Sequence, residues 1–136
     1  MRRMTAGTLL VVVAIAMASC GGGAKLEGTP WQWTSVTQNG KQTNVAVPSS
    51  YTLTLNSDGS FNAKADCNNV SGTYTTSGSS LTIKPGPSTL AQCGAGSLGD
   101  QFVTQLGQVS TYEIKGQTMN LTLSGNAGTM GFLNGS

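Results

Sequence analysis

The stretch Tyr51-Thr52-Leu53-Thr54-Leu55-Asn56-Ser57-Asp58-Gly59-Ser60-Phe61-Asn62-Ala63-Lys64-Ala65 decides the fold class of this chain. Tyr51, Leu53 and Leu55 point one way and Thr52 and Thr54 the other, the period-two pattern of a strand with one buried face. Asn56 to Gly59 supplies a turn in which glycine can take positive φ, and Phe61, Ala63 and Ala65 resume the alternation on the return. The stretch is a β-hairpin.

The same grammar repeats downstream. Ser77-Gly78 separates Thr73-Tyr74-Thr75 from Leu81-Thr82-Ile83, and Lys115-Gly116-Gln117 separates Tyr112-Glu113-Ile114 from Met119 to Leu123. A turn from Ser124 to Gly128 precedes a last strand from Thr129 to Leu133. Short strands with turns at steady intervals predict a meander that curls up. Between Pro85 and Gly96 the prolines and glycines break the pattern, so a loop is expected there. Leu98, Phe102, Val103 and Leu106 share one helical face, with Ser97 or Asp100 able to accept from the free amides at the start and Gly107 at the end. The expected fold is mainly β with one short helix, a small curled antiparallel sheet or partly open barrel.

Upstream, Arg2 and Arg3 precede an unbroken apolar run from Leu9 to Ala18 and then Ser19-Cys20, the order of parts in a secretory signal. The run is too short to span a bilayer, which takes about 20 apolar residues. Met17-Ala18-Ser19-Cys20 resembles a bacterial lipobox, which implies cleavage before Cys20 and acylation of that cysteine. Ala16-Met17-Ala18 is also an Ala-x-Ala site for ordinary signal peptidase. The cysteine count favours the lipobox: three cysteines in an exported chain leave one over, and a thioether to lipid removes that liability. Several acyl chains would anchor firmly, since each buried CH₂ contributes about 0.8 kcal/mol. The arginine pair lacks the extended motif of a twin-arginine signal and reads as the positive start region. The expected organisation is a signal peptide over 1–19, a lipidated cysteine with a flexible glycine tether over 20–28, and one domain over 29–136.

That domain is nearly neutral. Lys25, Lys41, Lys64, Lys84 and Lys115 balance Glu27, Asp58, Asp66, Asp100 and Glu113, so the formal charge of +2 comes from Arg2 and Arg3. No basic stripe exists to meet phosphates, which excludes the usual footprint of nucleic-acid binding.

Cys67-Asn68-Asn69-Val70-Ser71-Gly72-Thr73-Tyr74 carries a Cys-Asn pair followed by a Gly-x-Tyr strand. In order around it stand Gly28-Thr29-Pro30-Trp31, Ser88-Thr89 leading to Cys93, the Phe102 to Leu106 segment, Tyr112-Glu113-Ile114 and Leu121-Thr122-Leu123. This series resembles the META domain, a family that includes HslJ-like bacterial envelope proteins, and the resemblance spans nearly all of the chain after Cys20. It implies a small curled antiparallel sheet with one helix. Asp66 stands where the family commonly has Gly, and the acidic residue usual near the helix start is matched only approximately by Asp100.

The residues agree with that resemblance at Cys67 and Cys93. With Cys20 lipidated a single pair is left in an oxidising compartment, and closing a loop of this length would stabilise by roughly 3.5 kcal/mol in the chain-entropy model. A redox-active pair lacks Cys-x-x-Cys spacing, and a zinc site lacks half its ligands without histidine. Neither a metal nor another cofactor is expected.

Trp31 and Trp33 share one face of an early strand, where the ordinary role is a core anchor with the indole N–H satisfied at the edge and the sharper one a stacking platform for a ligand. Asn68 and Asn69 follow the cysteine at a strand end, where bonding to nearby backbone competes with contact to a ligand or partner. Catalysis by common routes needs a base tunable near neutral pH, yet the chain has no histidine, no paired carboxylates and no nucleophile elbow. The expectation is a non-enzymatic protein of the bacterial envelope, lipid-anchored through Cys20 on the extracytoplasmic side. Its role would be that of an accessory or stress-related module binding an envelope protein. The alternative is a carrier holding a small ligand or lipid in the mouth of the curled sheet.

Overall fold

Apolar side chains point inward at alternate positions along most strands of the computed structural model, which describes residues 23–136. The strands are β1 (Trp31–Gln38), β2 (Lys41–Asn44), β3 (Tyr51–Leu55), β4 (Ser60–Ala65), β5 (Asn68–Ser77), β6 (Ser80–Ser88), β7 (Val109–Lys115), β8 (Thr118–Leu123) and β9 (Thr129–Asn134). One helix, α1 (Gly99–Leu106), falls between β6 and β7. From β3 to β9 each strand pairs antiparallel with the next. β1 meets β3 through Trp31↔Leu53 and Gln32↔Thr52, and meets β9 from Trp31↔Asn134 to Thr37↔Thr129. The curl expected from the sequence therefore goes to closure: eight strands form a ring, and β2 folds back onto β1 outside it.

A barrel of about eight strands has an interior just wide enough for side chains. Here Trp31, Leu53, Phe61, Leu81, Met119 and Leu121 fill it with no exposure. Both ends are covered. At one end α1 lowers Phe102 into the barrel, where its ring stacks on Trp33 at 5.1 Å and meets Tyr51 edge-on at 5.8 Å. The Tyr51 hydroxyl accepts from the Leu98 amide at 2.9 Å and Ser97 Oγ accepts from the Gly99 amide at 3.2 Å, which holds the start of the helix. Gly107 ends it, as its sequence position implies.

The opposite end carries the β3–β4, β5–β6 and β7–β8 turns and is crossed by residues 24–29. Glu27 bridges to Leu55, the Gly28 amide donates to the Leu55 carbonyl at 2.8 Å, and the Ala24 amide donates to the Gly116 carbonyl at 2.8 Å on the far side of the ring. Thr29 Oγ1 donates to the Lys25 carbonyl and Trp31 Nε1 to the Leu26 carbonyl, while Ala24 and Leu26 pack on the core. From Ala24 onward the segment expected to be a flexible tether is thus a strap bonded across the barrel end. The expected signal peptide and the lipidation site Cys20 lie outside the described residues.

A second departure concerns Pro85-Gly86-Pro87, expected to break the sheet. β6 runs through them to Ser88, with Gly72↔Pro85 and Val70↔Ser88 paired on either side of a β-bulge. Prolines are tolerated where a strand has a partner on one side only, and β6 pairs with β7 only at Ser80↔Thr111. Gly107, just after α1, lies beside Pro85 in the gap this leaves.

Candidate functional site, a groove built by the disulfide loop

β4 and β5 are joined by a two-residue turn, Asp66-Cys67, in which Asp66 takes φ 61. That left-handed backbone explains why glycine suits this position and why a short polar side chain is tolerated there. The turn aims Cys67 at residues 89–98, which lead from β6 to α1, and Cys67 is disulfide-bonded to Cys93 with Cα atoms 5.6 Å apart.

Asn68 organises the rest of that loop. Its Nδ2 donates to the Ala91 carbonyl at 2.9 Å, while its Oδ1 accepts from the Ala91 amide and from Thr89 Oγ1, each at 2.8 Å. The Thr89 amide donates to the Asn69 carbonyl at 3.1 Å and the Asn69 amide donates to Thr89 Oγ1 at 3.0 Å. Asn68 thus acts as one more rung of sheet, so its amide is committed to the fold. The Asn69 side chain stays on the surface beside a shallow depression bordered by Asn62 and Ser71.

Between this loop, the start of β5 and the first turn of α1 lies an open groove of about 470 Å³, lined by Asn68, Ser88, Leu90, Gly96, Asp100 and Val103 among others. Asp100 is the charged group in the lining. Leu90 stands at the lip with 91% of its surface exposed. Nothing in the sequence singles Leu90 out, because an isolated leucine in a polar loop carries no periodic signal.

The tryptophans are elsewhere. Trp31 and Trp33 are fully buried in the barrel, so neither offers a ring face to a ligand, and the core-anchor role is the one the geometry gives them. Trp31 satisfies its indole at the edge, as that role requires; Trp33 Nε1 and Gln105 Oε1 are buried without a partner among the described residues.

At the strap end, Tyr74 forms a second polar cluster that the sequence alone did not flag. Its hydroxyl bonds the Asn56 carbonyl and lies 3.0 Å from Glu27 Oε1. Burial, and next the Glu27 carboxylate, push its pKa up to about 12. Asp58 sits in the neighbouring turn, where the Ser60 hydroxyl and amide hold its carboxyl below the usual range. Among the described residues no three His, Cys, Asp or Glu side chains gather as a metal site would require.

Two solved structures share the architecture. A protein from Burkholderia xenovorans, determined by NMR, superposes with a TM-score of 0.67 at 22% identity over 82% of this chain and 84% of its own. A DUF4847 family protein from Bacteroides vulgatus superposes with a TM-score of 0.63 at 14% identity over 79% of this chain and 93% of its own. At such identities the likeness is one of fold. No curated protein sequence matches. The META domain family model matches residues 24–134, which takes in the strap, all nine strands, the helix and both cysteines of the disulfide. The chain belongs to the META domain family.

Proposed function

We propose that this protein is a lipid-anchored module of the bacterial envelope that binds another protein through the groove end of its barrel and performs no catalysis. The observation that carries the binding role is the groove itself. It is polar, open and built by a disulfide loop, with an exposed Leu90 at its lip and no titratable pair inside. A polar site around an exposed apolar anchor suits a protein surface or peptide better than a reaction. The carrier alternative has less support, because the lumen is packed with side chains, Phe102 covers one end and the strap covers the other.

Anchoring is supported by the cysteine pairing. Cys67 and Cys93 are joined, which leaves Cys20 as the remaining one of three cysteines, next to an apolar export signal. The test is in-cell photo-crosslinking with the crosslinker at Leu90, followed by mass spectrometry of the adduct and of the mature N-terminus. A discrete protein adduct, absent with the crosslinker at Asn62 and accompanied by an acylated Cys20, is the expected result. An N-terminus cut after Ala18 and free of lipid would overturn the anchor, and equal labelling from both positions would overturn the groove as the binding face.

A further inference from the structure

We infer that the anchored protein stands end-on, with the strap end of the barrel against the lipid surface and the disulfide groove facing away from it. The inference rests on the proposed lipid on Cys20 and adds to it a geometry. Gly23 sits against the Gly116 carbonyl and Ala24 is hydrogen-bonded to it, so the described chain begins at the tip of the β7–β8 turn. Cys20 is three residues before Gly23, and three extended residues reach at most about 11 Å. A lipid-bearing cysteine on so short a lead keeps the β7–β8 tip within about 11 Å of the lipid surface, and the strap ties that lead to partners across the barrel end. Those partners are spread across the ring: Gly116 on one side, Leu55 on the other, and Tyr74 holding Glu27 between them.

The surface presented to the lipid suits contact without insertion. The turn tips there are Ser57-Asp58-Gly59, Ser77-Gly78 and Lys115-Gly116, polar or small, with Lys115 engaged to Glu113 at 3.2 Å. The groove lies at the other end of strands such as β4, whose six residues rise roughly 20 Å. A partner at the groove would therefore be met clear of the headgroups.

The test uses the full-length, lipidated protein reconstituted into phosphatidylethanolamine–phosphatidylglycerol vesicles that carry a rhodamine-labelled lipid. A donor fluorophore is placed on a non-natural residue at Ser57 in one sample and at Leu90 in another. Energy transfer to the lipid acceptor is expected to be several-fold stronger from position 57 than from position 90. Ala24→Pro, which removes the amide bonded to Gly116, is expected to shrink that difference while lipid and fold are retained. Equal transfer from both positions in a protein whose Cys20 carries lipid by mass overturns the orientation alone. A protein without lipid on Cys20 that fails to float with the vesicles overturns the anchor and the orientation with it.

Discussion

The side-chain amide of Asn68 pairs with the main chain of Ala91 in both directions, donating at 2.9 Å and accepting at 2.8 Å, as a neighbouring strand would. Asn68→Ala removes both bonds together with the one from Thr89. At about 1 kcal/mol net for each bond, partly offset by water at this semi-exposed site, the loss is on the order of 2 kcal/mol. Hydrogen exchange should show Ala91 losing protection while the amides of β8 and β9 keep theirs.

Breaking the covalent tie acts on the unfolded chain. With the cysteines 26 positions apart, replacing Cys67 and Cys93 together by Ser is expected to lower stability by about 3.5 kcal/mol. Denaturant unfolding checks this: the midpoint should fall, and the wild type in reducing agent should fall with it. The barrel should survive, since its closure depends on strand pairing that the disulfide does not join.

Gly72 tolerates no side chain. A Cβ there would lie 2.2 Å from the Lys84 carbonyl oxygen and 2.7 Å from Phe61 Cε1, and the first of these is backbone of the adjoining strand. Gly72→Ala must either open the β5–β6 bulge or displace Phe61 from the core, a strain costing roughly 1–3 kcal/mol or more. Gly94→Ala, which meets nothing within 4 Å, is the control expected to unfold at the wild-type midpoint.

Tyr74 sets a stability limit at high pH. Its neutral form is favoured by burial and by the Glu27 carboxylate, so the folded pKa of about 12 exceeds the ordinary 10.0. The sign follows from linkage: the stabilisation is complete below pH 10.0 and drains away as pH rises through about 12. Tyr74→Phe should flatten that alkaline slope in denaturation measured against pH. Glu27→Gln should bring the tyrosinate absorbance transition down toward 10.0 but not to it, because burial, the largest cause, remains.

Where side chains alternate, the strands were legible from local pattern alone, as in Tyr51 to Leu55 and Phe61 to Ala65. The short helix was legible from Phe102 and Leu106. Three features were not. The Asn39-Gly40 turn, with φ 52 and 73, makes a β1–β2 hairpin whose second strand, Lys41–Asn44, is wholly exposed and so has no apolar rhythm to read. The extension of β6 through Pro85 and Pro87 depends on having no neighbour on one side, a property of the assembled ring. The strap depends on Gly116, Leu55 and Tyr74, partners that Ala24-Lys25-Leu26-Glu27 does not name. The candidate site divides the same way. Cys67 and Asn68 were visible in one motif and Cys93 in the series around it, whereas Leu90 acquires meaning only beside the groove.

The pairing of Trp31 with Asn134 has a consequence in time. The first barrel strand bonds the last, so a chain delivered N-terminus first cannot finish its ring until β9, Thr129–Asn134, has arrived. Until then β1 and β8 present bare edges, and the two tryptophans have only part of their enclosure. Pairings this distant in sequence form slowly and leave apolar surface open to wrong partners while they wait. Loss of β9 should therefore do more harm than its six residues suggest, leaving a sheet with two sticky borders in place of a sealed cylinder.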